Sequence, residues 1–129
     1  MLIPPADIVA QAKDTITECS VTELQQRSKS DILLIDLREP AEFDKGHISG
    51  AVHLPRGLLE FEIHKLVTTF FADEIVPAED RPIILYCGTG GRSALAAQSM
   101  EEMGYTNVAS VAGGLVAWAK AQLPVDLPD

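Results

Sequence analysis

The sequence predicts an α/β fold, a central five-stranded parallel sheet with helices on both faces. Three observations predict it. The apolar runs Ile32-Leu33-Leu34-Ile35 and Ile83-Ile84-Leu85 are short, continuous and partly β-branched, as strands covered on both faces are. Strand patterns near Cys19, Ile35, Val52, Leu85 and Val108 alternate with helical ones, which is how parallel strands are connected. Residues 82–93 then read as a strand that empties through a glycine-rich loop onto an alanine-rich helix.

Taken in order, residues 6–15 carry Ile8, Val9 and Ala12 at helical spacing. They form an N-terminal helical extension (residues 1–15), laid on the domain or used for self-association; residues 16–129 are one domain. Residues 16–19 suit a short edge strand. Ser20-Val21-Thr22-Glu23 is a capping-box pattern that starts a helix through Arg27. Residues 31–36 form the second strand, and Asp36 and Arg38, two apart, point the same way and fix the turn by charge-assisted hydrogen bonds. Pro40 starts a short helix through Lys45 that Gly46 stops. Residues 51–54 are the third strand, ended by Pro55. Leu59, Ile63, Leu66, Val67 and Phe70 mark an amphipathic helix over 59–70. A loop over 72–81 leads to the strand before Cys87. A helix from Ser93 to about Met103 stops at Gly104, and a last strand covers 107–111. Gly113-Gly114 lets the backbone pass close to the preceding glycine-rich loop before a final helix over 115–122. Trp118 belongs to the core.

Composition narrows the function. The chain has 129 residues, of which 47% are apolar, enough for one domain with its own core. A formal charge of −9 argues against nucleic acid or an anionic membrane as partner. Any anion site is then a local pocket that works against the overall field. Two cysteines with no CxxC pair fit a reducing compartment. The N-terminus lacks the pattern of a secretory signal, and no apolar run reaches the ~20 residues that span a bilayer. The expectation is a soluble, cytoplasmic protein.

The chemistry gathers at Cys87-Gly88-Thr89-Gly90-Gly91-Arg92-Ser93. Glycines allow tight curvature, so backbone N–H groups can converge, and a helix N-terminus follows. These donors and Arg92 favour the Cys87 thiolate and an anion delivered to it. Two plainer readings stand beside this: a lone cysteine at a strand end as packing, and a glycine-rich turn that binds phosphate without a covalent step. The spacing of cysteine and arginine across the loop favours catalysis. Cys19 has no such cradle and reads as packing. His47 reads as a structural hydrogen-bonding residue rather than a base, and His53 and His64 likewise. The scattered histidines make a poor metal site, so no metal is expected. Arg56, at a strand–helix junction, is either a second cation at the site or a solvated surface arginine.

The loop resembles the active-site loop of the rhodanese-like sulfurtransferases. Asp36-Leu37-Arg38-Glu39-Pro40-Ala41-Glu42-Phe43 with Gly46-His47-Ile48 and Gly50-Ala51 is similar to that family's first signature, and Gly113-Gly114 with Trp118 and Pro124 to its last. The resemblance implies a rhodanese-like fold and transfer of a sulfane sulfur from thiosulfate, or another donor, to a thiol or cyanide through a persulfide on Cys87. It implies backbone donors from Gly88, Thr89, Gly90, Gly91 and Ser93, an anion-binding Arg92, structural Asp36, Arg38 and His47, and no metal or organic cofactor. Some sulfurtransferases of the family have a cation directly after the cysteine, where this chain has Gly88 and Thr89. A protein-borne persulfide is therefore a candidate donor, and a persulfide relay with a protein partner is the alternative function. Related cysteine phosphatases and similar arsenate reductases have a loop one residue longer than Cys87 to Arg92, which disfavours that chemistry here.

Overall fold

The computed structural model describes residues 1–128. In chain order the elements are α1 (Pro5–Lys13), β1 (Thr17–Cys19), α2 (Val21–Gln25), β2 (Leu33–Asp36), α3 (Pro40–Asp44), β3 (His47–Ile48), β4 (Val52–His53), α4 (Leu59–Phe70), β5 (Ile83–Tyr86), α5 (Gly91–Glu102), β6 (Val108–Val111), α6 (Gly114–Lys120) and β7 (Val125–Asp126). Single 3-10 turns occur at Arg56–Leu58 and Ala78–Asp80. The central sheet has the order β1-β6-β5-β2-β4, and every pairing in it is parallel. The expected five-stranded sheet is therefore present.

Strands β2 and β5 lie at the middle of the sheet, and all their residues are buried. Their two-residue period divides the core. Leu33, Ile35, Ile83 and Leu85 pack with Leu59, Ile63 and Val67 of α4 and Ala96, Ala97 and Met100 of α5. Leu34, Ile84 and Tyr86 pack on the other face with Leu24 of α2 and Trp118 of α6. Helix α1 lies on α5 and buries Ala12. The capping box at Ser20 forms as expected, with Glu23 N–H donating to Ser20 Oγ at 3.0 Å and Ser20 N–H donating to Glu23 Oε1 at 3.1 Å.

The second strand shortens to Leu33–Asp36, the Ser20 helix ends at Gln25 and the last helix runs Gly114–Lys120, and three further details depart from the sequence reading. The third strand shortens to Val52–His53, because only Val52 and His53 align with Ile35 and Asp36 of β2. A separate antiparallel pair, β3 with β7, fastens the chain end to the segment after α3. Each partner has two residues, too few for an alternating pattern to register. Helix α5 begins at Gly91 rather than Ser93, because Gly90 takes a left-handed conformation (φ +100°) and serves as its N-cap.

At the C-terminal ends of β2 and β5, Asp36 stands beside Tyr86 in register. Arg38 Nε and Nη2 donate to the buried Asp36 carboxylate at 3.1 and 2.8 Å, and the Arg38 N–H closes the turn onto it at 2.9 Å. Tyr86 donates its hydroxyl to Asp36 at 2.6 Å and accepts the Ile48 N–H at 3.0 Å. Arg38 Nη2 also reaches the Gly46 carbonyl at 2.6 Å. One carboxylate thus joins two central strands to the segment leading into β3. Among the described residues no helix is long and apolar enough to cross a membrane.

Removing the charge of Asp36 would leave Arg38, only 5% exposed, buried without its counter-charge. Asp36→Asn should cost about 3–5 kcal/mol in urea unfolding. An unchanged midpoint would mean that the pair is not what closes this end of the sheet.

Candidate active site

Cys87 directly follows β5, and the loop it opens is shaped from outside by α6. The first amides of a helix lack partners within it. Here Leu115 N–H donates to the Cys87 carbonyl at 2.9 Å and Val116 N–H to the Gly88 carbonyl at 3.0 Å. The approach is so close that a Cβ on Gly114 would lie 2.5 Å from the Cys87 carbonyl oxygen and 2.7 Å from that of Gly88. The backbone there also has φ +55°, which other residues rarely adopt. The expected close pass of Gly113-Gly114 against the loop is thus found, with Gly114 as the point of contact.

With those carbonyls held by α6, the Gly88 and Thr89 N–H groups of the same peptide planes turn inward, and the start of α5 adds the amides that follow. Gly90 and Ser93 donate to Cys87 Sγ at 3.2 and 3.3 Å. Ser93 Oγ lies 3.5 Å from the sulfur and 2.7 Å from Ser110 Oγ of β6. Burial opposes the thiolate, but the Ser93 hydroxyl and the N–H groups of Ser93, Gly90 and Thr89 outweigh it, so the Cys87 pKa is lowered. Cys19 behaves oppositely. Burial first, and then the charge of Glu23, push its thiol up to about 11.

Arg92 is at the loop, with its guanidinium paired to Glu42 of α3. Nη1 donates to Oε1 at 2.7 Å and Nη2 to Oε2 at 3.1 Å. The hydrogen bond from Arg92 holds the Glu42 carboxyl down at about 2. Arg56 is engaged elsewhere. Its Nη1 is bidentate to Glu60 at 3.0 and 3.1 Å, and Nη2 reaches Ser99 at 3.3 Å, because the turn before α4 aims it along that helix. This corrects the second-cation reading in favour of the surface one. Asp36 and Arg38 form the buried pair described above. His47 stacks on Phe43 at 3.9 Å, with Nδ1 3.4 Å from the Phe43 carbonyl. His53 stacks on Phe43 at 4.4 Å, with Nε2 2.8 Å from the Arg38 carbonyl. Trp118 is core, its Nε1 donating to the Pro124 carbonyl at 2.8 Å. Among the described residues no cluster of three His, Cys, Asp or Glu side chains is arranged for a metal ion.

Sequence reasoning missed Glu42 and Ser110. Glu42 lies fifty residues from Arg92, and no local spacing joins them. Ser110 reads only as a small residue in a strand, and its partner becomes visible once β6 lies beside β5.

Two outcomes follow from this geometry. Ser93→Ala removes one donor to the sulfur, so the pH profile of Cys87 alkylation by iodoacetamide should move to higher pH. A profile that stays in place would mean that the amides alone set the ionisation. Gly114→Ala forces a Cβ into two carbonyls at a left-handed position, and should cost about 2–5 kcal/mol of unfolding free energy in a urea titration.

Comparison with known proteins agrees with this arrangement. The family model described as the rhodanese-like domain matches residues 20–121. A sulfurtransferase of Allochromatium vinosum is 32% identical over 116 residues, covering 88% of this chain and 98% of that protein. The thiosulfate sulfurtransferase GlpE of Haemophilus influenzae is 32% identical over 111 residues, covering 86% and 92%. Among solved structures, a Rhodopseudomonas palustris protein of unknown function, described as a possible tyrosine phosphatase, superposes with a TM-score of 0.79 at 30% identity, covering 98% and 96%. By its domain match, its full-length sulfurtransferase relatives and its sheet, this chain belongs to the rhodanese-like sulfurtransferase family.

Proposed function

We propose that this protein carries a sulfane sulfur as a persulfide on Cys87, taken from thiosulfate or another sulfur donor and passed to a thiol or cyanide. The observation that supports this best is the placement of Cys87 Sγ as acceptor of the Gly90 and Ser93 amides. A group that stabilises a thiolate there also stabilises the negative terminal sulfur of a persulfide. The thiolate attacks the outer sulfur of thiosulfate, a new S–S bond forms, and the old one breaks with its electron pair leaving on sulfite. An acceptor thiolate then attacks the outer sulfur of the persulfide and returns Cys87 as thiolate. No electron is gained or lost overall, and the scheme requires no metal or organic cofactor.

Gly88, Thr89, Gly90, Gly91 and Ser93 line the cradle in this scheme, and Arg92 is the cation for an anionic donor. Asp36, Arg38 and His47 support the neighbouring backbone. No base is required, which accords with His47 and His53 being stacked on Phe43. Two free cysteines and the −9 charge fit a cytoplasmic protein that handles small sulfur compounds or a persulfide-bearing partner, without nucleic acid or a membrane. A persulfide relay is supported by Gly88 and Thr89, which place no side-chain cation directly after Cys87.

The deciding measurement is thiosulfate-to-cyanide sulfur transfer by the purified protein and by Cys87→Ala, with mass spectrometry of the intact chain. Turnover with a one-sulfur adduct, both lost in the mutant, is the expected result. An adduct with negligible turnover would select the relay. No adduct from thiosulfate or from cysteine persulfide would overturn the sulfur reading in favour of oxyanion chemistry.

A further inference from the structure

Arg92 is held by Glu42, and Glu42 is itself held. Its Oε1 accepts the Glu39 N–H at 3.1 Å as well as Arg92 Nη1 at 2.7 Å, so the carboxylate is anchored on the first turn of α3, where Pro40 fixes the backbone. The second oxygen takes Arg92 Nη2 at 3.1 Å. The guanidinium reaches the loop wall from this position, since a Cβ on Gly88 would stand 3.3 Å from Nη2. A fixed carboxylate therefore occupies the fork of the loop's own cation.

This arrangement bears differently on different donors. Thiosulfate carries its charge on sulfonate oxygens beside the transferred sulfur. To use Arg92 it must share a guanidinium whose two Nη atoms are already engaged by Glu42, and must face the Glu42 charge, in a chain that is already −9. An organic persulfide has no oxyanion next to the transferred sulfur and needs only the amides around Cys87. Glu42 also lines an open cleft of about 260 Å³ whose wall includes Arg38 and Lys45 beside the apolar Leu115, Ala119 and Val125, a surface for the organic body of such a donor. We propose that Glu42 is a specificity-determining residue, whose pairing with Arg92 turns the site away from small sulfur oxyanions and toward organic persulfide donors.

Proton uptake does not lift the restraint. A carboxyl held down at about 2 by the guanidinium stays ionised in mild acid, so protonation there does not separate the pair. Only a competing ligand or a substitution frees Arg92.

The inference rests on sulfur transfer through Cys87, and its test separates the two. Glu42→Gln keeps an oxygen to accept the Glu39 N–H but removes the charge. The ratio of kcat/KM for thiosulfate to that for cysteine persulfide should rise about fivefold, chiefly through a lower KM for thiosulfate. An independent arm uses inorganic sulfate, which cannot donate sulfur. The concentration that half-protects Cys87 from iodoacetamide should fall by a similar factor in the variant. A ratio that stays constant or falls overturns the proposal, and a fall would mean that Glu42 positions Arg92 for the oxyanion. If neither donor loads Cys87 in the parent protein, the sulfur reading fails and the donor preference fails with it. The sulfate arm then still reports whether Glu42 restrains the anion site.

Discussion

The hydrogen bonds from the Leu115 and Val116 amides to the carbonyls of Cys87 and Gly88 fix the first two peptide planes of the loop, although neither touches the sulfur. A peptide plane has its C=O and N–H on opposite sides, so fixing the Cys87 and Gly88 carbonyls outward turns the Gly88 and Thr89 amides inward. Helix α6 uses those carbonyls to pair first-turn amides that have no partner within the helix. The Gly114 contact follows from this pairing. Any side chain there would separate the two backbones and undo both sets of bonds.

A second constraint sets where β5 delivers Cys87. Tyr86 precedes the cysteine, and its hydroxyl is fixed on the Asp36 carboxylate, which also holds Arg38. Burial and the Asp36 hydrogen bond push the Tyr86 phenol up, so it stays a neutral donor to that carboxylate. The same turn leads into α3, which carries Glu42 to Arg92. The supporting ion pair and the site's ion pair are consecutive features of one short segment, so the family's first signature block (residues 36–51) contributes to the site through Glu42 as well as through architecture.

Features that depend on residues near one another in the chain were legible beforehand. The buried runs, the capping box at Ser20, the amphipathic pattern of α4, the Asp36–Arg38 turn and the cysteine-to-arginine loop all have their cause within a few residues. Features that depend on chain crossing were not. Glu42 meets Arg92, and Ser110 meets Ser93, only because α3 and β6 are brought beside the loop by the sheet order. Arg56 shows the converse. Its place after a strand suggested the site, but an available carboxylate one helical turn away at Glu60 took the guanidinium instead.

The two cysteines show why the strand–loop–helix arrangement alone does not activate a thiol. Cys19 ends one strand of the parallel sheet and Cys87 directly follows another, and each precedes a helix. At Cys19 the next residue is Ser20, whose Oγ accepts the N–H of Glu23, the third residue of α2. The hydroxyl caps the helix, and burial first, then the nearby charge of Glu23, pushes the Cys19 thiol up to about 11. At Cys87 the N-cap is Gly90, which has no side chain to offer. The N–H of Ser93, again the third residue of its helix, donates to Cys87 Sγ instead. The sulfur thus stands where a capping oxygen would, and the amides that normally stabilise a cap stabilise a thiolate. Glycine at that position is therefore chemical as well as steric. It leaves the helix terminus without a side-chain cap, so that the cysteine sulfur takes that place.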